Sequence, residues 1–140
     1  MRYTAWLADK IISWLMHEKR LTGIPLSDFS RLCFEIRPCD VLLIEGRSRV
    51  SNVIKNITHS PWTHSALYLG RLHDIENEAT RALIAKHYVG NASEQLLLEA
   101  LLGEGIIVTP LAKYDGEHVR ICRPKGLSLL DSTKVIDFAA

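Results

Sequence analysis

Residues 58–70, THSPWTHSALYLG, constrain the chain more than any other stretch. The segment opens as a polar loop marked by Pro61 and from Trp62 onward alternates like a strand. Successive strand side chains point to opposite faces, so His64, Ala66 and Tyr68 share one side and Ser65, Leu67 and Leu69 the other. The Leu face is expected to enter a core, and the His64 face to look onto a hollow shaped by the preceding loop. An imidazole at the mouth of a strand suits general-base chemistry, because the ring titrates near neutrality. The same pattern also fits a solvated or hydrogen-bonded structural histidine.

The flanking sequence supplies the other elements of a single domain. Residues 2–20 read as an amphipathic helix, with Tyr3, Trp6, Leu7, Ile11, Trp14 and Leu15 at three- and four-residue spacing. Such a helix either packs on the domain or lies on a membrane surface, where Trp beside Lys and Arg suits the headgroup region. Gly23 and Pro25 are expected to end it, and Ser27-Asp28 to cap a short second turn before Arg37-Pro38. Residues 41–46 form an apolar run closed by Gly46, a buried strand, and residues 47–57 a brief helix through Val50, Val53, Ile54 and Ile57. Residues 76–87 predict a helix stopped by Gly90-Asn91. Residues 96–100 and 106–109 predict a hairpin around Gly103-Glu104-Gly105, and 117–123 a further strand. A last helix over 127–140, capped by Ser128 or Asp131, carries no Gly, Pro or basic last turn to stop it. The expected class is α+β: a small antiparallel sheet or half-barrel of about five strands with flanking helices. Residues 1–25 are assigned to the first helix and 26–140 to the domain proper.

Composition excludes several classes. A net charge of +1 with scattered Lys and Arg argues against nucleic-acid binding, which needs clustered cations. The three cysteines, Cys33, Cys39 and Cys122, have no CxxC spacing, so neither a disulfide framework nor a zinc knuckle is indicated. A reducing, cytoplasmic setting fits, with the membrane surface as the peripheral alternative for residues 2–20. His59, His64 and His73 match no common zinc spacing, and no phosphate loop or GxSxG elbow occurs, so no metal and no cofactor are expected.

What raises His64 above background is Glu99, a lone acid inside the apolar strand 96–100. A base needs a partner that fixes its tautomer and orientation, and a carboxylate on a neighbouring strand supplies one. Glu99 also fits an exposed acid on the polar side of its strand. None of the cysteines starts a helix. Cys33 sits among Leu32 and Phe34, Cys39 beside the negative Asp40, and Cys122 between Arg120 and Arg123, where two cations favour thiolate.

Four pieces in order resemble the YiiX/YebB-like cysteine hydrolases, circularly permuted relatives of NlpC-type peptidases with a papain-like fold. Cys39-Asp40-Val41-Leu42-Leu43 is similar to that family's opening G-D-hydrophobic strand, with Cys39 where Gly is usual. Residues 60–70 resemble its S-x-W-[ST]-H-x-[AG]-[IL]-Y-h-G segment, Leu97-Leu98-Glu99-Ala100 its h-h-E-A strand, and residues 119–127 its V-x-h-x-R-P-x-G-L strand and turn. The resemblance implies a thiol hydrolase or acyltransferase in which His64 is the base and Glu99 its polar partner. It further implies a substrate pocket drawn from the matched motifs, at Asp40, Trp62, Thr63 and Tyr68. The substrates it implies are a peptide or isopeptide bond, or a lipid ester as in lecithin–retinol-type acyltransferases. The nucleophilic Cys is expected at a helix start downstream of the Arg123-Pro124 strand, beyond residue 140, which makes residues 26–140 a hydrolase domain truncated at its C-terminus.

Overall fold

The alternating segment forms β2 (His64–Arg71), the middle strand of a five-stranded sheet ordered β4-β3-β2-β1-β5. The computed structural model describes residues 2–17 and 27–140. In chain order these form α1 (Arg2–Met16), α2 (Phe29–Glu35), β1 (Val41–Ile44), α3 (Arg49–Thr58), β2, a 3₁₀ turn (Leu72–Asp74) and α4 (Glu78–His87). They are followed by β3 (Gln95–Leu101), β4 (Gly105–Pro110), a second 3₁₀ turn (Leu111–Tyr114), β5 (Val119–Cys122) and α5 (Leu129–Ala139). Every neighbouring pair of strands is antiparallel and the sheet stays open, so the class is α+β. The expected helix end at Gly23 and Pro25, and residues 18–20, lie outside the described residues.

Local chemistry accounts for the helix starts. Asp28, Ser48, Asn77 and Ser128 each sit at an N-cap in extended conformation and accept a backbone N–H from the first turn. The choice between Ser128 and Asp131 thus falls to Ser128, whose Oγ accepts the Asp131 N–H. Helix α4 ends at His87, before the expected Gly90 stop.

Both faces of the sheet are covered. Ala66 and Tyr68, on the His64 side, are buried with Leu42, Ile44 and Leu97 beneath α2 and the second 3₁₀ turn. Leu69 and Leu96, on the other side, pack against Ile84 of α4 and Ile136 of α5. The His64 face is therefore a core that opens only at the strand end where His64 lies.

Asp40 and Tyr68 are built into that framework. The Tyr68 hydroxyl accepts an N–H of Gln95 (2.8 Å) within the core, four residues along β2 from His64. Asp40 is 1% exposed and accepts both arms of the Arg123 fork (2.8 and 2.7 Å) and the Arg37 N–H (2.8 Å). Arg123 also donates to the Glu35 carbonyl at the end of α2 (2.8 Å), so one guanidinium ties a helix end, a strand lead-in and the end of β5 together. Cys39, just before, has φ +72, the left-handed conformation that favours glycine.

Arg123→Ala is expected to lower the urea denaturation midpoint, because a buried carboxylate loses its fork, while the half-exposed arginine side softens the loss. Arg123→Lys should recover less than half of that, since an ammonium offers no planar fork. Urea denaturation midpoints check both, and an unchanged midpoint for Arg123→Ala would show that Asp40 needs no partner.

Candidate active site

Register brings the two predicted residues together. Ala66 of β2 stands opposite Glu99 of β3, so Glu99 shares the face of His64 and lies diagonally across from it. His64 Nε2 and Glu99 Oε2 are 2.6 Å apart, with His64 partly exposed and the Glu99 side chain fully buried. The alternative of an exposed acid on a polar strand face is thereby overturned.

Glu99 is the hub of a larger network. Its Oε1 accepts from the Thr109 hydroxyl (2.5 Å) and the Lys113 ammonium (2.8 Å), and its Oε2 accepts from the Tyr114 hydroxyl (2.5 Å) as well as from His64. Burial by itself would push this carboxyl up. The hydrogen bonds from His64, Lys113, Thr109 and Tyr114 outweigh it and hold the group well below the usual carboxylate range. An ionised Glu99 only accepts, so in the neutral ring the proton sits on Nε2 and the lone pair on Nδ1. Nδ1 makes no hydrogen bond among the described residues. The dyad therefore offers an oriented base at the open end of the sheet.

Thr109, Lys113 and Tyr114 were not singled out by sequence. Thr109 faces Leu97 in the β3–β4 register and hence shares the Glu99 face. In the 3₁₀ turn, residues three apart eclipse, so Leu111 and Tyr114 are both buried and Lys113 is left beside them at the rim. The Leu-x-x-Tyr spacing after Pro110 carried that information.

Trp62 and Thr63 prepare the strand. Thr63 Oγ1 accepts the Gly46 N–H (2.9 Å), and a side chain on Gly46 would collide with the Ser51 and Thr63 hydroxyls. Thr63 thus fixes the turn into β2. The Trp62 ring lies on His118 (centroids 4.9 Å apart), whose Nδ1 meets Glu45 Oε2 at 2.7 Å; Glu45 also accepts from Lys55 (2.7 Å). The Lys55 and His118 hydrogen bonds hold the Glu45 carboxyl below its ordinary range. Trp62 and His118 line an open groove between α2 and the edge strand β5, together with Arg31, Leu32 and Ile121. Val119, Ile44 and His64 are in register across three strands, which puts the groove about 10 Å from the imidazole.

No cysteine stands beside His64. Cys122 pairs with Val41, which pairs with Leu67, so Cys122 lies on the opposite face of the sheet. Cys39 packs in the core of that opposite face and its Sγ approaches the Ser132 carbonyl at 3.2 Å. Cys33 is on the His64 face, but its carbonyl receives the same Gln95 side chain that reaches Tyr68, about 13 Å along β2 from His64. Burial pushes the Cys33 and Cys39 thiols up, which disfavours thiolate at both. Among the described residues no group of three or more His, Cys, Asp or Glu side chains is placed to hold a metal ion. No family model, no curated protein and no solved structure matches this chain.

A carboxylate held below its normal range ties stability to acid. The folded state keeps Glu99 ionised while the unfolded chain takes up a proton near pH 4, so its contribution is complete above about pH 4 and fades as pH falls further. Denaturation midpoints measured from neutral pH downward should decline below about pH 4 in the wild type, and that part of the decline should be absent in Glu99→Gln.

Proposed function

We propose that the chain is a cysteine hydrolase-type domain of the permuted papain-like kind, acting on an amide, isopeptide or ester bond. His64 is the base and Glu99 the partner that orients it. The observation that carries this reading is the 2.6 Å contact of His64 Nε2 with a buried, ionised Glu99, which leaves Nδ1 to take a proton. Because Cys33, Cys39 and Cys122 all lie away from His64, the nucleophile is assigned to a cysteine outside residues 1–140. Its thiol proton passes to Nδ1 as sulfur attacks the carbonyl carbon. The leaving amine or alcohol takes that proton as its bond to carbon breaks, leaving an acyl thioester. Water, deprotonated by the same nitrogen, cleaves the thioester and returns the thiol. A peptide and a lipid ester satisfy this chemistry equally.

A second reading, a non-catalytic binding module of the same fold, is favoured by the network itself: all four donors to Glu99 give the carboxylate a structural use.

A small-molecule thiol separates the two readings. Given such a thiol and an activated ester, the chain should speed thiolysis above the buffer rate, and Cys33→Ser, Cys39→Ser and Cys122→Ser should each keep that acceleration. No acceleration by the wild type would leave the binding module. Loss in one serine variant, with its fold intact by circular dichroism, would make that cysteine the nucleophile.

A further inference from the structure

Helix α1 is amphipathic, yet part of its apolar side is left uncovered. Leu7, Ile11 and Trp14, at i, i+4 and i+7, are 54%, 51% and 59% exposed, and Trp6 is 55% exposed. The helix is nonetheless fixed in place. Arg49 of α3 donates to the Trp14 carbonyl (2.7 Å), and Ile12 lies against Gly103 in the β3–β4 turn. That turn follows Glu99, and α3 leads into His64, so α1 sits at the end of the sheet that carries the dyad.

Each exposed indole of this stripe carries a cation. The Lys10 ammonium stands 4.4 Å over the Trp6 ring and the Arg49 guanidinium 4.2 Å over the Trp14 ring. The sole acid of α1, Asp9, is about 160° around the helix from Leu7 and Ile11 and about 60° from Trp6; α3 has no acid. Indole rings topped by cations along a narrow apolar stripe match the boundary between acyl chains and anionic headgroups. There the rings enter the interface and the cations stay with phosphate.

We propose that α1, with Arg49 of α3, docks the chain on an anionic lipid surface and turns the His64 end of the sheet toward it. The inference goes beyond the hydrolase reading, and its test uses no turnover.

The test is co-sedimentation with vesicles of phosphatidylcholine, with and without phosphatidylglycerol. The chain should bind the mixed vesicles about tenfold more tightly than the neutral ones, and Lys10→Glu should remove most of that preference. Trp6→Ala with Trp14→Ala should weaken binding to mixed vesicles at least about tenfold, with unchanged circular dichroism because both rings are exposed. Independently of those variants, brominated lipid should quench the fluorescence of Trp62→Phe protein, in which Trp6 and Trp14 are the remaining indoles. Absence of binding to either vesicle overturns the proposal, as does binding that ignores both sets of substitutions. A doubled mass in solution that the Trp substitutions abolish, without vesicle binding, would assign the stripe to a second copy of the chain and overturn it equally.

Discussion

Glu99→Leu is expected to destabilise the protein by about 3–5 kcal/mol, the range for removing one member of a buried charged network. Leucine fills much of the space but accepts no hydrogen bond. The Thr109 hydroxyl is buried and would keep its desolvation cost once the carboxylate it donates to is gone. Lys113 is 38% exposed and can turn its ammonium to water, which places the expected value toward the lower end of the range. Thr109→Val added to Glu99→Leu should recover about 1 kcal/mol, because it removes one stranded donor. Urea denaturation of the single and double variants measures both. If Glu99→Leu leaves the midpoint unchanged, Glu99 is not the hub of this face.

His64→Ala should behave in the opposite way. The fold survives, since the ring sits at the open end of the sheet and Glu99 keeps its Lys113, Thr109 and Tyr114 donors. The catalytic readout collapses: thiolysis of an activated ester with an added small-molecule thiol should fall by about 10²–10⁴, the usual worth of a positioned base. The contrast is diagnostic. Glu99→Leu loses stability and rate together, whereas His64→Ala loses rate while its denaturation midpoint moves little. Equal thiolysis by His64→Ala and wild type would remove the imidazole from the chemistry.

Much of this architecture is legible in local signals. The alternation after Trp62, the hairpin around Gly103 and Gly105, and the caps at Asp28 and Ser128 each follow from chemistry within a few residues. Pairing His64 with Glu99 needed both strands to present one face, and the β2–β3 register delivers it. The other long-range partners were not legible. Asp40 carries no local sign that Arg123, 83 residues away, would claim it. Tyr68 shares the parity of His64, but α2 and the Leu111–Tyr114 turn close over that part of the face and bury it. The donors Thr109 and Lys113 reach Glu99 only because β4 and the turn after it wrap around β3. Local periodicity says which way a side chain points; which element covers it depends on the tertiary fold.

The central claim is that an ionised Glu99 holds the His64 proton on Nε2 and so presents Nδ1 as the base. Long-range ¹⁵N–¹H correlation spectra of the imidazole, recorded where the ring is neutral, read that tautomer directly. The account predicts the Nε2–H form in the wild type, with an Nε2 proton resonance that moves upfield in Glu99→Gln as the charge-assisted bond is lost. An Nδ1–H ring, or an Nε2 proton indifferent to residue 99, would contradict it.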